Sequence, residues 1–355
     1  MGEFSLIDAF FKDICPRAAA LNHPQAFGIG DDAALLSPVP PDQQLVVTTD
    51  TLVEGRHYWP EVDPQALGHK VLAVNLSDLA AMGARPWAFT LSVSLRAPRV
   101  DWLSSFSSGM ATLARRAGIA LVGGDTVGLG PDPAARESFT VTAMGLVPLG
   151  QALRRDGLQP GDRLWVSGTL GDGQAAVAQR LSAEKLLWPE PRLALGEALR
   201  GLAHAAIDIS DGLSSELGHL VRLSRARCES LSPGASSQAS GFSELYLEVS
   251  LGALAGCLGP LLREAVGQSR LDLREACRQA AASGDEYELL FAAPDAARSE
   301  IIALGQRLEI AVTEIGRVCA SATQSPPVVW VDDRGQPLES AWIPSAGFDH
   351  FPQET

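Results

Sequence analysis

The sequence predicts an α/β protein with mixed sheets, divided into two domains, and three features carry that expectation. At 355 residues the chain exceeds one ordinary core. Residues 88–95 alternate Phe89, Leu91, Val93 and Leu95 with Thr90, Ser92 and Ser94, the period of a strand with one buried face, while the preceding stretch 64–82 carries helical spacing. Near 148–162 the composition turns to Pro148, Gly150, Gly157, Pro160 and Gly161, which predicts a boundary between a domain at 1–149 and another at 150–355.

The elements follow in order. The opening Met-Gly-Glu-Phe-Ser-Leu-Ile-Asp-Ala-Phe-Phe reads as a short amphipathic helix, and its acids replace the basic stretch of a signal peptide, so a cytoplasmic protein is expected. A strand at 45–50 carries Thr48, Thr49 and Asp50 to its end, where their oxygens would project beyond the sheet edge. Asp63-Pro64 has the form of a helix cap followed by proline at the first helical position, and Gly83 with Pro86 supplies the stop. The helix over 64–82 places Val71, Asn75, Asp78 and Met82 along one stripe. Asp78 stands mid-helix between Leu76 and Leu79, where a buried carboxylate without a partner is costly. A helix at 101–117, a buried strand at 119–122 ending in a Gly-Gly-Asp-Thr turn, and a strand at 138–147 complete a β-α-β-α-β-β order. The second domain reads as a strand at 163–168, a glycine-rich loop at 168–173, helices at 174–183 and 191–203, a loop at Asp208, and a helix at 213–225. A Ser/Gly-rich surface loop at 224–243, one helix at 260–281 and a strand at 287–292 follow.

Composition narrows the function. Hydrophobic residues at 46% with 20% charged describe a well-packed globule, and a net charge of −14 argues against a nucleic-acid surface. An anionic substrate must therefore arrive with counterions. The longest apolar stretch, Leu251 to Leu262, is broken by glycines and a proline and falls short of the roughly 20 residues that span a bilayer. The five cysteines are scattered without a C-x-x-C pair, so neither a disulfide frame nor a zinc site is expected.

Eight aspartates in glycine- or serine-rich turns carry the chemistry: Asp31, Asp32, Asp50, Asp78, Asp125, Asp208, Asp211 and Asp285. If the fold gathers them, carboxylates about 4 Å apart repel by several kcal/mol at a protein-like dielectric, so the group requires cations. Mg²⁺ takes oxygen ligands and, when the protein supplies few, commonly carries substrate phosphates. Neither a P-loop nor a Gly-x-Gly-x-x-Gly between strand and helix is present, which points to an ATP-using enzyme that relies on metals and backbone amides. Each motif also fits a structural role. Asp31 and Asp32 suit a plain turn, Asp50 a local cap, and Ser210 or Asp211 the cap of the following helix. That helix start and the 168–173 loop have the form of anion cradles, His57 suits a solvated surface, and Phe348 suits packing.

Together the motifs exceed these separate readings. Gly-Glu-Phe-Ser-Leu-Ile (2–7), Gly-Ile-Gly-Asp-Asp-Ala-Ala (28–34), Thr-Thr-Asp-Thr-Leu-Val-Glu-Gly-Arg-His-Tyr (48–58) and Lys-Val-Leu-Ala-Val-Asn-Leu-Ser-Asp-Leu-Ala-Ala-Met-Gly-Ala (70–84) come first. Gly-Gly-Asp-Thr (123–126), Ile-Asp-Ile-Ser-Asp-Gly-Leu (207–213), Gly-Asp-Glu-Tyr-Glu-Leu (284–289) and Gly-Phe-Asp-His-Phe (347–351) follow. In order and spacing the chain resembles the thiamine-monophosphate kinases. The resemblance implies the two-domain fold of aminoimidazole ribonucleotide synthetase, with N-terminal sheets pairing into a barrel in a homodimer. It implies ATP-dependent phosphorylation of thiamine monophosphate to thiamine diphosphate. It also implies several Mg²⁺ ions sharing ligands at Asp32, Thr48, Thr49, Asp50, Asp78, Asp125, Asp208 and Asp211, of which Asp50, Asp78, Asp125 and Asp211 serve catalysis. Gly124, Asp125, Arg155 and Ser210 would contact ATP, and His57, Asp285 and Phe348 the thiamine monophosphate. The acidic pair here is Gly-Asp-Glu where the family commonly has Gly-Glu-Asp or Gly-Asp-Asp, which leaves open whether Asp285 or Glu286 touches substrate.

Rival readings are a different ATP-dependent superfamily enzyme or a catalytically silent metal and nucleotide sensor. Cys15, in Ile-Cys-Pro-Arg, lacks the glycine-rich setting of a selenophosphate synthetase's reactive cysteine, and no C-terminal cysteine of the hydrogenase-maturation kind is present. No partner-binding tail or repeat accompanies the acids, which disfavours the sensor.

Overall fold

The computed structural model describes residues 2–15, 18–180, 184–231, 244–321, 325–339 and 343–344. Phe348 and the 347–351 motif lie outside the described residues, as does most of the expected loop at 224–243. The chain divides into two compact units, the first made of Met1–Leu79, Ala84–Ala152 and Leu187–Leu193 and the second of Ala80–Gly83, Leu153–Leu186 and Ala194–Thr355.

In chain order the first unit holds α1 (Glu3–Phe10), β1 (Gln43–Val53), α2 (Pro64–Ala81), β2 (Arg85–Leu95), α3 (Val100–Ala117), β3 (Ala120–Gly128) and β4 (Ser138–Pro148). The sheet order is β1-β4-β2-β3, with β2 and β3 parallel and the other pairs antiparallel. At the start of α2, Asp63 accepts the backbone N–H of Gln65 at 3.1 Å, as its place before Pro64 predicts. Both long helices pack on one face of the sheet. Trp102 and Phe106 of α3 stack on Phe139 of β4 with ring centroids 5.9 and 4.8 Å apart. The two helices meet backbone to backbone, since a Cβ on Gly68 would stand 1.9 Å from the Phe106 carbonyl oxygen and one on Gly109 1.9 Å from that of Gln65. The opposite face is open at β1, where Leu45 and Val47 are 46% and 57% exposed.

Two expectations change here. Thr48, Thr49 and Asp50 stand in mid-strand, because pairing with β4 continues to Val53 opposite Ser138. The Gly123–Thr126 motif is likewise part of β3 and not a turn after it, because the ladder with β2 resumes past a register shift at Phe89/Thr90 and runs to Leu95 opposite Gly128.

The second unit holds β5 (Arg163–Ser167), α4 (Asp172–Gln179), α5 (Glu184–Leu187), α6 (Leu193–Leu199), β6 (Ala205–Asp208), α7 (Leu213–Leu231), β7 (Glu244–Ser250), α8 (Leu251–Ala255), α9 (Pro260–Gly267), α10 (Leu273–Ala282), β8 (Leu289–Ala293), α11 (Arg298–Leu308), β9 (Val312–Ser321) and β10 (Val328–Val331). Six strands pair in the order β10-β7-β9-β5-β8-β6. The core gathers Leu164, Val166, Ile207, Leu217, Leu220, Leu247, Leu290 and Ile315. The helix expected at 260–281 is two helices, broken after Gly267, with Ser269 in the left-handed region at φ 55° and Asp272 capping α10 through the Glu275 N–H at 3.0 Å. Helix α7 continues through Leu231, and α6 is shorter than expected, ending at Leu199 before a turn at Gly201. The strand expected from residue 287 begins at Leu289, since Tyr287 adopts φ 51°.

Candidate active site

In the first unit the sheet register decides which side chains meet. Asp50 pairs with Val141, which pairs with Leu91, and both of these are buried on the helix-covered face. Two residues earlier in the same strand, Thr48 shares that face, since alternate residues point the same way. Helix α2 brings Asn75 and Asp78 against them. The Thr48 hydroxyl donates to an Asp78 carboxylate oxygen, and the Asp50 N–H donates to Asn75 Oδ1 at 3.0 Å. Asn75 is itself fixed by donating to the Val71 carbonyl one turn earlier at 3.2 Å. The mid-helix carboxylate of Asp78 thus has a hydroxyl donor, and it is half-buried. The helical stripe, read from spacing alone, accounts for this meeting.

Asp125 lies on the other face. It pairs with Ser92, Ser92 with Thr140, and Thr140 with Thr51, a row of polar residues on the open side. Thr49 shares that side and bonds Thr142 Oγ1 at 3.1 Å and the Val141 carbonyl at 2.9 Å. Beside Asp125, Gly124 has φ 156°, and a Cβ there would stand 1.8 Å from the Leu91 carbonyl oxygen. Only glycine fits. Gly124→Ala is expected to cost about 1–3 kcal/mol of stability, read as a lowered unfolding midpoint, because the β2–β3 ladder must open to admit the methyl group.

Asp31 and Asp32 occupy an exposed loop closed by reciprocal backbone bonds between Phe27 and Leu35, with the Asp32 N–H on Asp31 Oδ1 at 2.8 Å. That arrangement is the turn these residue types form by themselves.

His57 follows β1 in a turn braced from below. Its Nδ1 accepts the Val53 N–H at 2.9 Å, which puts the proton of the neutral ring on Nε2. The buried Glu54 pairs with Arg96, whose guanidinium holds the Glu54 carboxyl below the usual range. Arg99 reaches the buried Glu137 at 2.6 Å, and the Tyr58 hydroxyl donates to the Glu137 carbonyl at 3.1 Å. None of these supports is visible in sequence spacing, because Glu137 and Arg96 are distant from His57 along the chain.

In the second unit the Asp208–Gly212 loop leaves the end of β6 and runs beside residues 284–288. Rungs of 2.8 Å join the Ile209 N–H to the Glu288 carbonyl, the Tyr287 N–H to the Ile209 carbonyl, and the Asp285 N–H to the Ser210 carbonyl. Asp208 is 3% exposed. On α7, Glu216 turns back so that Oε1 accepts the N–H groups of Ser210 at 3.2 Å and Asp211 at 2.9 Å. Burial, with the Asp211 charge adding to it, pushes the Glu216 carboxyl up to about 7 against the pull of these amides. The two amides ahead of this helix are therefore taken by the chain's own carboxyl.

The same holds at the 168–173 loop. Glu286 Oε1 accepts the N–H groups of Gly171 at 2.8 Å and Gly173 at 3.1 Å and the Ser283 hydroxyl at 2.6 Å. Lys185 pairs with Glu286 at 3.0 Å and with Glu288 at 3.3 Å, and Ser167 donates to Glu288 at 2.6 Å. Burial pushes the Glu286 carboxyl up, and Lys185 opposes that rise. Of the acidic pair, Glu286 is thus enclosed and engaged on both sides, whereas Asp285 is half-buried, stands at φ 59°, and accepts the Tyr287 hydroxyl at 2.9 Å. Left-handed conformations at two such non-glycine residues are strained features that cluster at ligand sites.

Arg154 pairs with Asp156 at 2.6 Å, while Arg155 beside it is exposed. His219 of α7, not anticipated from the sequence, is held by Arg222 at 2.8 Å. Burial, Arg222 and Arg155 lower its basicity and Asp211 opposes them, so these four side chains form one electrostatic neighbourhood.

The donors assembled are carboxylates and hydroxyls, the ligand types of Mg²⁺. Among the described residues no three His, Cys, Asp or Glu side chains stand together as a metal site. The Thr48–Asp78 contact suits an ion that takes one or two carboxylates and completes its shell with water and phosphate. None of the described helices is long and apolar enough to cross a membrane.

Residues 30–147 match the family described as AIR synthase related protein, N-terminal domain. The chain is 38% identical over 366 residues to the thiamine-monophosphate kinase of Escherichia coli K12, with 99% of this chain and 98% of that protein covered. The chain belongs to the thiamine-monophosphate kinase family. Among solved structures, that of the thiamine-monophosphate kinase from Stenotrophomonas maltophilia K279a is 39% identical with a TM-score of 0.74, covering 93% of this chain and 96% of that one. A complex of AaThiL with AMPPCP and TMP is 25% identical with a TM-score of 0.67, covering 99% and 97%. The mixed α/β fold expected from strand and helix patterning is the fold of this family.

Proposed function

We infer that the chain transfers the γ-phosphoryl group of ATP to thiamine monophosphate, giving thiamine diphosphate and ADP. The observation that carries the reading is kinship over nearly the whole length with thiamine-monophosphate kinases, one of whose relatives is solved with an ATP analogue and TMP. The acceptor phosphate is already ionised near neutral pH, its second pKa being about 6, so no general base is required. Bound Mg²⁺ would supply the charge neutralisation that lets two anions approach. Of several Mg²⁺ ions, ligands would be Thr48, Asp50 and Asp78 on the helix-covered side of the first sheet, Asp125 and Thr49 on its open side, Asp32 in its loop, and Asp208 with Asp211 in the second unit. Asp50, Asp78, Asp125 and Asp211 are the carboxylates assigned to the reacting phosphates. Gly124, Asp125, Arg155 and Ser210 would orient ATP, and His57 and Asp285 the thiamine monophosphate. The enclosure of Glu286 favours Asp285 as the substrate contact. The exposed apolar face of β1 supports a homodimer formed through the first sheet. The 1–149 region would then serve ATP, metal and dimerisation, with 150–355 as the C-terminal α/β domain.

Incubation with ATP, Mg²⁺ and thiamine monophosphate is expected to give thiamine diphosphate, detected by mass. Product from free thiamine alone would overturn the substrate assignment.

A further inference from the structure

The loop that carries Asp208 and Asp211 is held on two sides. On one side are the backbone rungs to residues 285–288, and on the other a single carboxyl, Glu216. A helix cap satisfies amides of the first helical turn or of the cap residue itself. Glu216 does otherwise. Helix α7 begins at Leu213 after Gly212, and the amides that Glu216 accepts belong to Ser210 and Asp211, ahead of the helix. Its effect therefore falls on the loop and not on the helix. The side chain is 2% exposed, its Oε1 is shared between the two amides, and its Oε2 is buried with no hydrogen-bond partner among the described residues. A glutamate so enclosed carries a desolvation cost that a surface residue avoids, and what it secures in return is the path of the backbone between two aspartates.

Resting on the metal role assigned above to Asp208 and Asp211, we propose that Glu216 is a positioning residue for divalent-cation binding. It fixes the Ser210–Asp211 backbone so that the two carboxylates are presented together. Ser210 is the pivot, since its N–H goes to Glu216 while its carbonyl receives the Asp285 N–H. Asp211 is bonded to Glu216 directly, whereas Asp285 is also held by the Tyr287 hydroxyl, whose residue is tied to Ile209, so loosening Glu216 would disturb metal binding before thiamine monophosphate binding. Carboxyl partners of this outer kind change metal affinity by about 10–100-fold when removed.

The test uses the full chain with Mn²⁺ as the probe, in the presence of a non-hydrolysable ATP analogue, reading free Mn²⁺ by electron paramagnetic resonance. Glu216→Leu, which removes both acceptors at similar volume, is expected to weaken Mn²⁺ binding about 10–100-fold, with thiamine monophosphate affinity changed less than about threefold. Glu216→Gln, whose amide oxygen can still accept both N–H groups, is expected to stay within about threefold of the unaltered chain for Mn²⁺. Unchanged Mn²⁺ affinity in Glu216→Leu, or an equal loss of both ligands, overturns the proposal. If Glu216→Leu does not unfold cooperatively, amide exchange of residues 209–212 in Glu216→Gln decides. Protection kept together with Mn²⁺ affinity sustains the assignment, and loss of either overturns it. Failure to form thiamine diphosphate in the unaltered chain would count against the assigned reaction alone, because the Mn²⁺ readout needs no turnover.

Discussion

Asp50→Asn is expected to lower turnover at least about a hundredfold at saturating Mg²⁺, ATP and thiamine monophosphate, a loss of about 2.7 kcal/mol in transition-state stabilisation. The substitution keeps the size of the side chain and removes its charge. The backbone at Asp50 is held by Asn75, which is itself tied into α2, so the geometry survives the change and stability should move little. On the proposed reaction charge is what the site needs, because two polyanions would meet there and cations held by carboxylates would offset them. Initial rates across a Mg²⁺ titration check this. Rates within about tenfold of the unaltered chain would remove Asp50 from the metal set. Asp125→Asn in the same titration asks whether the open face of the first sheet belongs to the site, since its row partners Ser92, Thr140 and Thr51 lie opposite the Thr48, Asp50 and Asp78 group.

Lys185→Met is expected to destabilise the chain by about 3–5 kcal/mol, the cost of leaving a buried carboxylate without its cation. The ammonium group serves two enclosed glutamates and also donates to the Thr169 carbonyl, so its loss exposes Glu286 and Glu288 to mutual repulsion. The pH dependence follows in sign. Burial already raises the Glu286 carboxyl, and removing Lys185 removes what opposes that rise. A folded-state pKa above the unfolded one means the folded chain binds more protons, so stability falls as pH rises through the folded pKa. The deficit of Lys185→Met should therefore be smaller in mild acid than at pH 8 in thermal unfolding. Adding Glu286→Gln to it should recover part of the loss. A deficit that does not change with pH would mean the cost is one of packing.

How far the sequence could be read depended on whether the signal was local. The alternation at 88–95, the Asp63-Pro64 cap and the spacing of Asn75 and Asp78 act within a few residues, and β2 and α2 follow them closely. Strand length does not work that way. Thr48 to Asp50 read as a strand end because their polarity breaks the apolar run, yet β4 continues to pair with them from ninety residues away. The split of 260–281 into two helices was written in Gly267, but helical composition on both sides concealed it. Strands β7, β9 and β10 are short or lie at the edge of regions with weak periodicity, and went unread. At the site, aspartates in turns were legible by type and order, whereas Glu216, Lys185 and the enclosure of Glu286 were not, because burial of a charged residue and its pairing are decided by distant segments that close over it. The same applies to the face on which each ligand sits. Asp50 and Asp125 look equivalent in sequence, and only strand register separates them.

The two glutamates that fill the amide pockets of the second unit have a consequence for phosphate binding. A phosphate would find carboxyls already bonded to amides that other folds leave bare. On the proposed reaction, amides already taken by the chain's own carboxyls leave the triphosphate's charge to be offset by cations.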